Sequence, residues 1–181
     1  MGLLRSYHSR PVRLCPNTWA EAAHAQGCLL TDTSSAYILA YNPSENPAVG
    51  EVVNIEGTVS DYGGLLQFGT GTTVTKTGTT KSVTPPAAEV LDGAKVDALV
   101  KAIEVKYVEY EGTLSINNGM YYNITIADTT NQGSIQYPTE DMKATLTTLD
   151  GKSVKVTGYT IGVSLGKYLN TIATSVEIAA Q

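Results

Sequence analysis

Asp32 to Tyr41 reads D-T-S-S-A-Y-I-L-A-Y, and Asp128 to Tyr137 reads D-T-T-N-Q-G-S-I-Q-Y, each running from an aspartate to a tyrosine over the same interval. A second pair repeats downstream, G-E-V-V-N-I-E-G from Gly50 to Gly57 and G-K-S-V-K-V-T-G from Gly151 to Gly158. In each copy Asp with Ser, Thr or Asn supplies side-chain acceptors for a tight turn. An apolar and β-branched run then returns as a strand. The spacing predicts two copies of one β-rich unit.

Working outward from the second copy, Ala102 to Glu111 alternates apolar and polar positions as a strand does, Asn117-Asn118-Gly119 marks a hairpin turn, and Met120 to Ala127 pairs back. Gly133 to Tyr137 is a third strand. Thr139 followed by Glu140 and Asp141 starts a helix running to about Leu149, because a threonine cap and an acidic first turn satisfy the exposed N–H groups there. Gly151 to Val163 and Tyr168 to Ala179 are strands four and five. Three strands, a helix and two strands is the element order of an OB-fold, a five-stranded partly open barrel.

The first copy is shorter. Cys28 to Thr31, Ala36 to Tyr41, Gly50 to Ser60, Leu65 to Phe68 and Thr72 to Lys76 read as strands, separated by Asn42 to Val49 with its two prolines and by Asp61-Tyr62-Gly63-Gly64. Upstream, all three arginines, both histidines, both cysteines and the only tryptophan fall within the first 28 residues, while every lysine lies from Lys76 onward. Residues 1–26 are therefore read as an atypical leader containing a short Ala-rich helix capped by Asn17 or Thr18. It stands in place of the opening strands, so the first barrel is expected to be incomplete and to expose an edge. The expected organisation is a leader at 1–26, a first OB-like unit at 27–84, a connecting segment at 85–100 and a second OB-fold at 101–181. A short helix is expected between strands three and four of each unit.

The chain resembles the tandem OB-fold proteins of gut Gram-negative anaerobes, through the Asp32-to-Tyr41 segment, both Gly-to-Gly segments and T-I-A-T-S-V-E-I near the C-terminus. That family is described as nucleic-acid-binding and often as envelope lipoproteins. The resemblance implies an all-β tandem barrel and a periplasmic, outer-membrane or extracellular setting, although Met1 to Arg13 lacks the apolar core of a secretory signal. No run of apolar residues is long enough to span a membrane as a helix.

The 181 residues carry a formal charge of −5. No cluster of Lys or Arg forms the stripe expected of a strong polyanion binder. Motifs of nucleophilic, zinc-protease, phosphate-loop and EF-hand chemistry are missing, and histidine does not recur after His24. Cys15, His24 and Cys28, with His8, lack the spacing of a compact zinc site, so no metal or cofactor is expected. The expected function is non-catalytic binding of single-stranded nucleic acid or an oligosaccharide. A structural or protein-interaction module of the cell envelope is the alternative. OB-folds hold ligands across strands two and three between the loops joining strands one to two and four to five. Mapped here, the candidate ligand residues are Tyr107, Asn118, Tyr121, Asn123, Tyr137, Lys155, Lys167 and Tyr168. Tyrosines stack on planar ligands and lysines meet phosphate, although eleven tyrosines against one phenylalanine also suit half-wet sheet positions.

Overall fold

The computed structural model describes residues 11–180. The first sheet comprises β1 (Pro11–His24), β2 (Gly27–Thr31), β3 (Tyr37–Tyr41), β4 (Glu51–Tyr62), β5 (Leu65–Phe68) and β6 (Thr73–Thr80). Antiparallel β1–β4 pairing closes the ring, and β3 meets β5 in parallel at Leu39↔Gln67 and Ala40↔Phe68. β6 lies outside the ring on β4.

The second sheet repeats the scheme. β7 (Glu89–Leu91) and α1 (Gly93–Lys101) precede β8 (Tyr107–Asn117), β9 (Tyr121–Thr125), β10 (Gln132–Ile135), α2 (Glu140–Leu149), β11 (Ser153–Ser164) and β12 (Tyr168–Ile178). Here β8 closes on β11 and β10 runs parallel to β12. Both rings have the strand pairing of an OB barrel. The two Asp-to-Tyr segments occupy the same place in each barrel, the turn before the third strand and that strand itself. Asp32 accepts the Ser34 N–H at 2.8 Å, a turn-forming bond. No described helix is long and apolar enough to cross a membrane.

Three expectations are corrected. The segment taken as leader supplies a full strand, β1, so the first barrel has its opening strand and its ring is closed. The Ala-rich stretch in it is extended rather than helical. Helix propensity among ordinary residues amounts to a few tenths of a kcal/mol each, whereas Thr18 to His24 gains backbone pairing to β2 along one edge and to β4 at Thr18 and Trp19 on the other. The third correction concerns helices: 42–50 joins β3 to β4 as a loop, and only the second barrel places a helix there. Residues 1–10, the remainder of the proposed leader, lie outside the described residues.

β1 is irregular. Ala20 faces Leu30 and Ala22 faces Leu29, so Glu21 is the extra residue of a β-bulge. Bulges re-aim side chains. Glu21 is buried at 8% exposure, and its carboxylate accepts the Tyr159 hydroxyl at 2.6 Å and the Trp19 indole N–H at 3.2 Å.

Each barrel has its own core. Cys28, Leu30, Val53, Ile55 and Phe68 fill the first, and Val108, Tyr110, Leu114, Ile124, Val156 and Leu169 fill the second with Leu146 of α2. A third apolar cluster joins them: Ala22, Leu29 and Leu39 from the first barrel meet Tyr159, Ile161 and Ile172 from the second. Two backbone bonds cross the junction, Ala25 N–H to the Tyr137 carbonyl at 2.9 Å and Val163 N–H to the Gly63 carbonyl at 2.8 Å.

Gly158 shows how tightly the second ring closes. It sits at a register shift of the β11–β12 pairing, where an added Cβ would run into the Ile172 carbonyl oxygen. Backbone cannot rotate away as a side chain can, so Gly158→Ala is expected to destabilise the protein by about 2 kcal/mol. Urea unfolding measures this, and a loss below about 0.5 kcal/mol would show that the bulge relaxes freely.

Candidate functional site

A cleft of about 750 Å³ opens where the two barrels meet. Its floor is the face of β9 and β10, with Tyr121, Asn123 and Ser134, followed by Gln136 and Tyr137. One wall is the β8–β9 turn, with Asn117, Gly119 and Met120, and another is the β11–β12 turn, with Ser164 and Leu165, leading into Tyr168. Lys143 reaches it from α2. The first barrel adds Ala25 and Gln26 from its β1–β2 turn and Tyr62 from the end of β4.

Local sequence explains these positions. Asn118 and Gly119 have φ of 54° and 68°, the left-handed geometry of a tight hairpin that Asn-Gly favours. Leu165, at φ 51° in the β11–β12 turn, is 91% exposed. A branched apolar residue in that conformation is costly twice over, in backbone strain and in hydration. Tyr137 is also left-handed, at φ 50°. Its ring is held by His24 at 5.1 Å and Tyr41 at 5.4 Å between centroids. Tyr41 and Tyr137 end the two repeated segments, so the equivalent tyrosines of the two barrels touch each other.

Polar groups in the floor are ordered by one another. Gln136 Nε2 donates to Ser134 Oγ at 2.9 Å and to Asn170 Oδ1 at 3.3 Å, and the Ser164 hydroxyl donates to the same Asn170 oxygen at 3.0 Å. Burial pushes the Tyr137 hydroxyl up to about 12, with Tyr62 and Tyr41 adding to the shift. It stays protonated across the physiological range. Lys143 is paired with Glu140 at 2.7 Å, and that bond holds its ammonium above the ordinary lysine range.

The cleft brings together Tyr121, Asn123, Tyr137 and Tyr168 of the expected ligand residues. Asn118 caps the turn between two lining residues, and Lys167 lies over the Tyr168 ring, 5.4 Å from its centroid. Two expected residues lie elsewhere. Tyr107 packs at the barrel junction, 4.7 Å from the Tyr159 ring, with its hydroxyl 3.0 Å from Thr174 Oγ1. Lys155 is on the outer face of β11, paired with Glu177 at 2.7 Å and Glu109 at 3.8 Å. Leu165 lies in the expected loop between strands four and five, whereas Gln26, Tyr62, Met120 and Lys143 were not anticipated. Gln26 and Tyr62 enter only through the docking of the barrels.

The candidate metal set falls partly outside the described residues, at His8 and the Cys15 side chain. Of its other members, Cys28 is in the first core and His24 faces Tyr137.

No family model matches the chain, and no curated protein does. Solved structures similar to it include a murine DNA binding protein bound with ds DNA, at 10% identity and a TM-score of 0.37, over 92% of this chain and 100% of that one. Another, described as "Structural mimicry for functional antagonism", shows 12% identity and a TM-score of 0.35 over 96% and 93% of the two chains. Likenesses at these scores carry no argument about a ligand.

Proposed function

We propose that this protein is a non-catalytic binding module that seats a strand-like ligand, a single-stranded nucleic acid or an oligosaccharide, in the cleft of the second barrel. One observation carries the reading: Tyr62, Met120, Tyr121 and Leu165, each more than half exposed, all border this one cleft. Exposed apolar side chains scattered singly need no explanation, but a cluster rimming a cleft marks a contact surface. The ordered amides beneath supply the few placed polar groups that orient a ligand.

A second reading, a protein-interaction module of the envelope kind, is favoured by Leu165 and Met120, which suit a flat apolar contact better than a strand. The two readings separate on binding. Tyrosine fluorescence is expected to respond to an oligothymidylate or to an uncharged oligosaccharide, and Tyr121→Ala with Tyr168→Ala to weaken that binding about tenfold or more, since each stacked ring contributes about 1–3 kcal/mol. Response to neither ligand class would replace the first reading with the second.

A further inference from the structure

Resting on the binding-module reading, we propose that the cleft selects an uncharged oligosaccharide over a nucleic-acid strand, and that the first barrel completes the sugar site through Gln26 and Tyr62.

Charge separates the two ligand classes. A nucleic-acid strand brings one phosphate per nucleotide, and its affinity comes largely from lysines and arginines that displace condensed counterions. Among the described residues Lys143 is the one cation lining the cleft, and Glu140 already holds it. Other lysines are committed to other faces, Lys106 to Glu89 at 3.1 Å and Glu104 at 2.9 Å, Lys155 to Glu177 and Glu109, and Lys76 to Glu51 at 2.9 Å. Lys167, over the Tyr168 ring at the edge of the cleft, adds a single cation, fewer than a phosphate track needs. Around them the chain carries a net charge of −5, a field that slows a polyanion's approach.

The lining has the opposite virtue for a neutral ligand. Carboxamides come from four places, Gln26, Asn117, Asn123 and Gln136, and among the described residues no carboxylate lines the cleft. A carboxamide both donates and accepts, as a sugar hydroxyl does, so the two pair without leaving either half unsatisfied. Gln136 is held in place by Ser134 and Asn170 before any ligand arrives, which reduces the entropy lost on binding. Tyr62, Tyr121 and Tyr168 add ring faces against which the apolar C–H face of a pyranose packs.

Gln26 and Tyr62 have a specific place in this scheme. Gln26 in the β1–β2 turn and Tyr62 at the end of β4 each adjoin a residue whose backbone bonds across the junction, Ala25 N–H on the Tyr137 carbonyl and the Gly63 carbonyl on Val163 N–H. Their positions relative to the second barrel are therefore fixed by backbone rather than by mobile side chains.

The test titrates the full chain with an oligothymidylate at low salt and with a panel of uncharged cello-, manno-, xylo- and chito-oligosaccharides, read by tyrosine fluorescence and calorimetry. The expected result is binding by at least one sugar with an affinity that salt does not change, and no binding by the oligonucleotide. Gln26→Ala and Tyr62→Ala, both at solvent-facing positions, are each expected to weaken the sugar about fivefold, the worth of one hydrogen bond or packing contact. Salt-dependent oligonucleotide binding without sugar binding would overturn the inference while leaving the binding-module reading intact. Binding of neither would overturn both. Sugar binding unaffected by the two first-barrel variants would overturn the shared site.

Discussion

Tyr159→Phe is expected to lower the stability of the protein by about 3 kcal/mol, although it deletes a single oxygen. The hydroxyl is the closer of two donors to the buried Glu21 carboxylate, at 2.6 Å, the other being the Trp19 indole at 3.2 Å. No ion pair to Glu21 exists among the described residues. Removing one hydrogen bond to a buried charge costs more than the bond's net worth, because the oxygen it leaves behind has already lost its water. Desolvation, with Glu21 adding to it, holds the Tyr159 hydroxyl above the ordinary tyrosine range, so the donor stays protonated. The control is Glu21→Gln in the same background. It removes the stranded charge, so the double variant should recover a large part of the loss, and equilibrium urea unfolding of the four proteins gives the coupling. A cost below about 1 kcal/mol for Tyr159→Phe would mean that water reaches Glu21 and that the junction is looser than described.

Acidification is expected to remove about 3 kcal/mol of stability between pH 6.5 and 4, through His24 alone, because burial lowers its pKa from 6.5 to about 4. The ring is 5% exposed, its Nδ1 accepts the Gln26 N–H at 3.2 Å, and Nε2 is buried with no partner among the described residues. A proton would have to displace the Gln26 bond and place a charge against Tyr137. Above pH 6.5 both folded and unfolded chains are neutral here, and the contribution is fully present. As pH falls from 6.5 towards 4, the unfolded chain takes up a proton that the folded chain refuses, and stability is lost until the folded form also titrates. The urea midpoint of wild type should therefore fall across this window relative to His24→Gln, with carboxylate effects common to both proteins cancelling in the difference. Parallel pH profiles would show that His24 is solvated.

Both effects act at the junction between the barrels, the part of the molecule hardest to read in the sequence. The repeated segments mark real equivalences: the aspartate turn and the following strand depend on neighbours a few residues away, so local chemistry suffices to find them. The second barrel was legible for the same reason, with Asn117 to Gly119, Thr139 and Gly151 punctuating strongly patterned strands. β1 was not, because Ala20, Ala22 and Ala23 carry no β-branched signal and the bulge at Glu21 breaks the alternation that would reveal a strand. Its conformation is imposed by β2 and β4.

The site divides along the same line. Tyr121, Asn123, Tyr137 and Tyr168 follow from topology, since the second and third strands and the loops beside them form the open face of any such barrel. Tyr107 and Lys155 are indistinguishable from them by residue type, and only the packing of the first barrel and the acids on β8 and β12 assign them elsewhere. Gln26 and Tyr62 belong to another barrel altogether, and no local pattern announces that two domains share a cleft.

Chemical-shift mapping of the chain during titration with the uncharged oligosaccharide panel and with oligothymidylate tests the shared cleft most directly. Perturbations are expected to gather on Tyr121, Asn123, Leu165 and Tyr168 together with Gln26 and Tyr62 of the first barrel. Perturbations confined to other surfaces, such as β6 or the Lys155 face of β11, or no perturbation by any of these ligands, would contradict it.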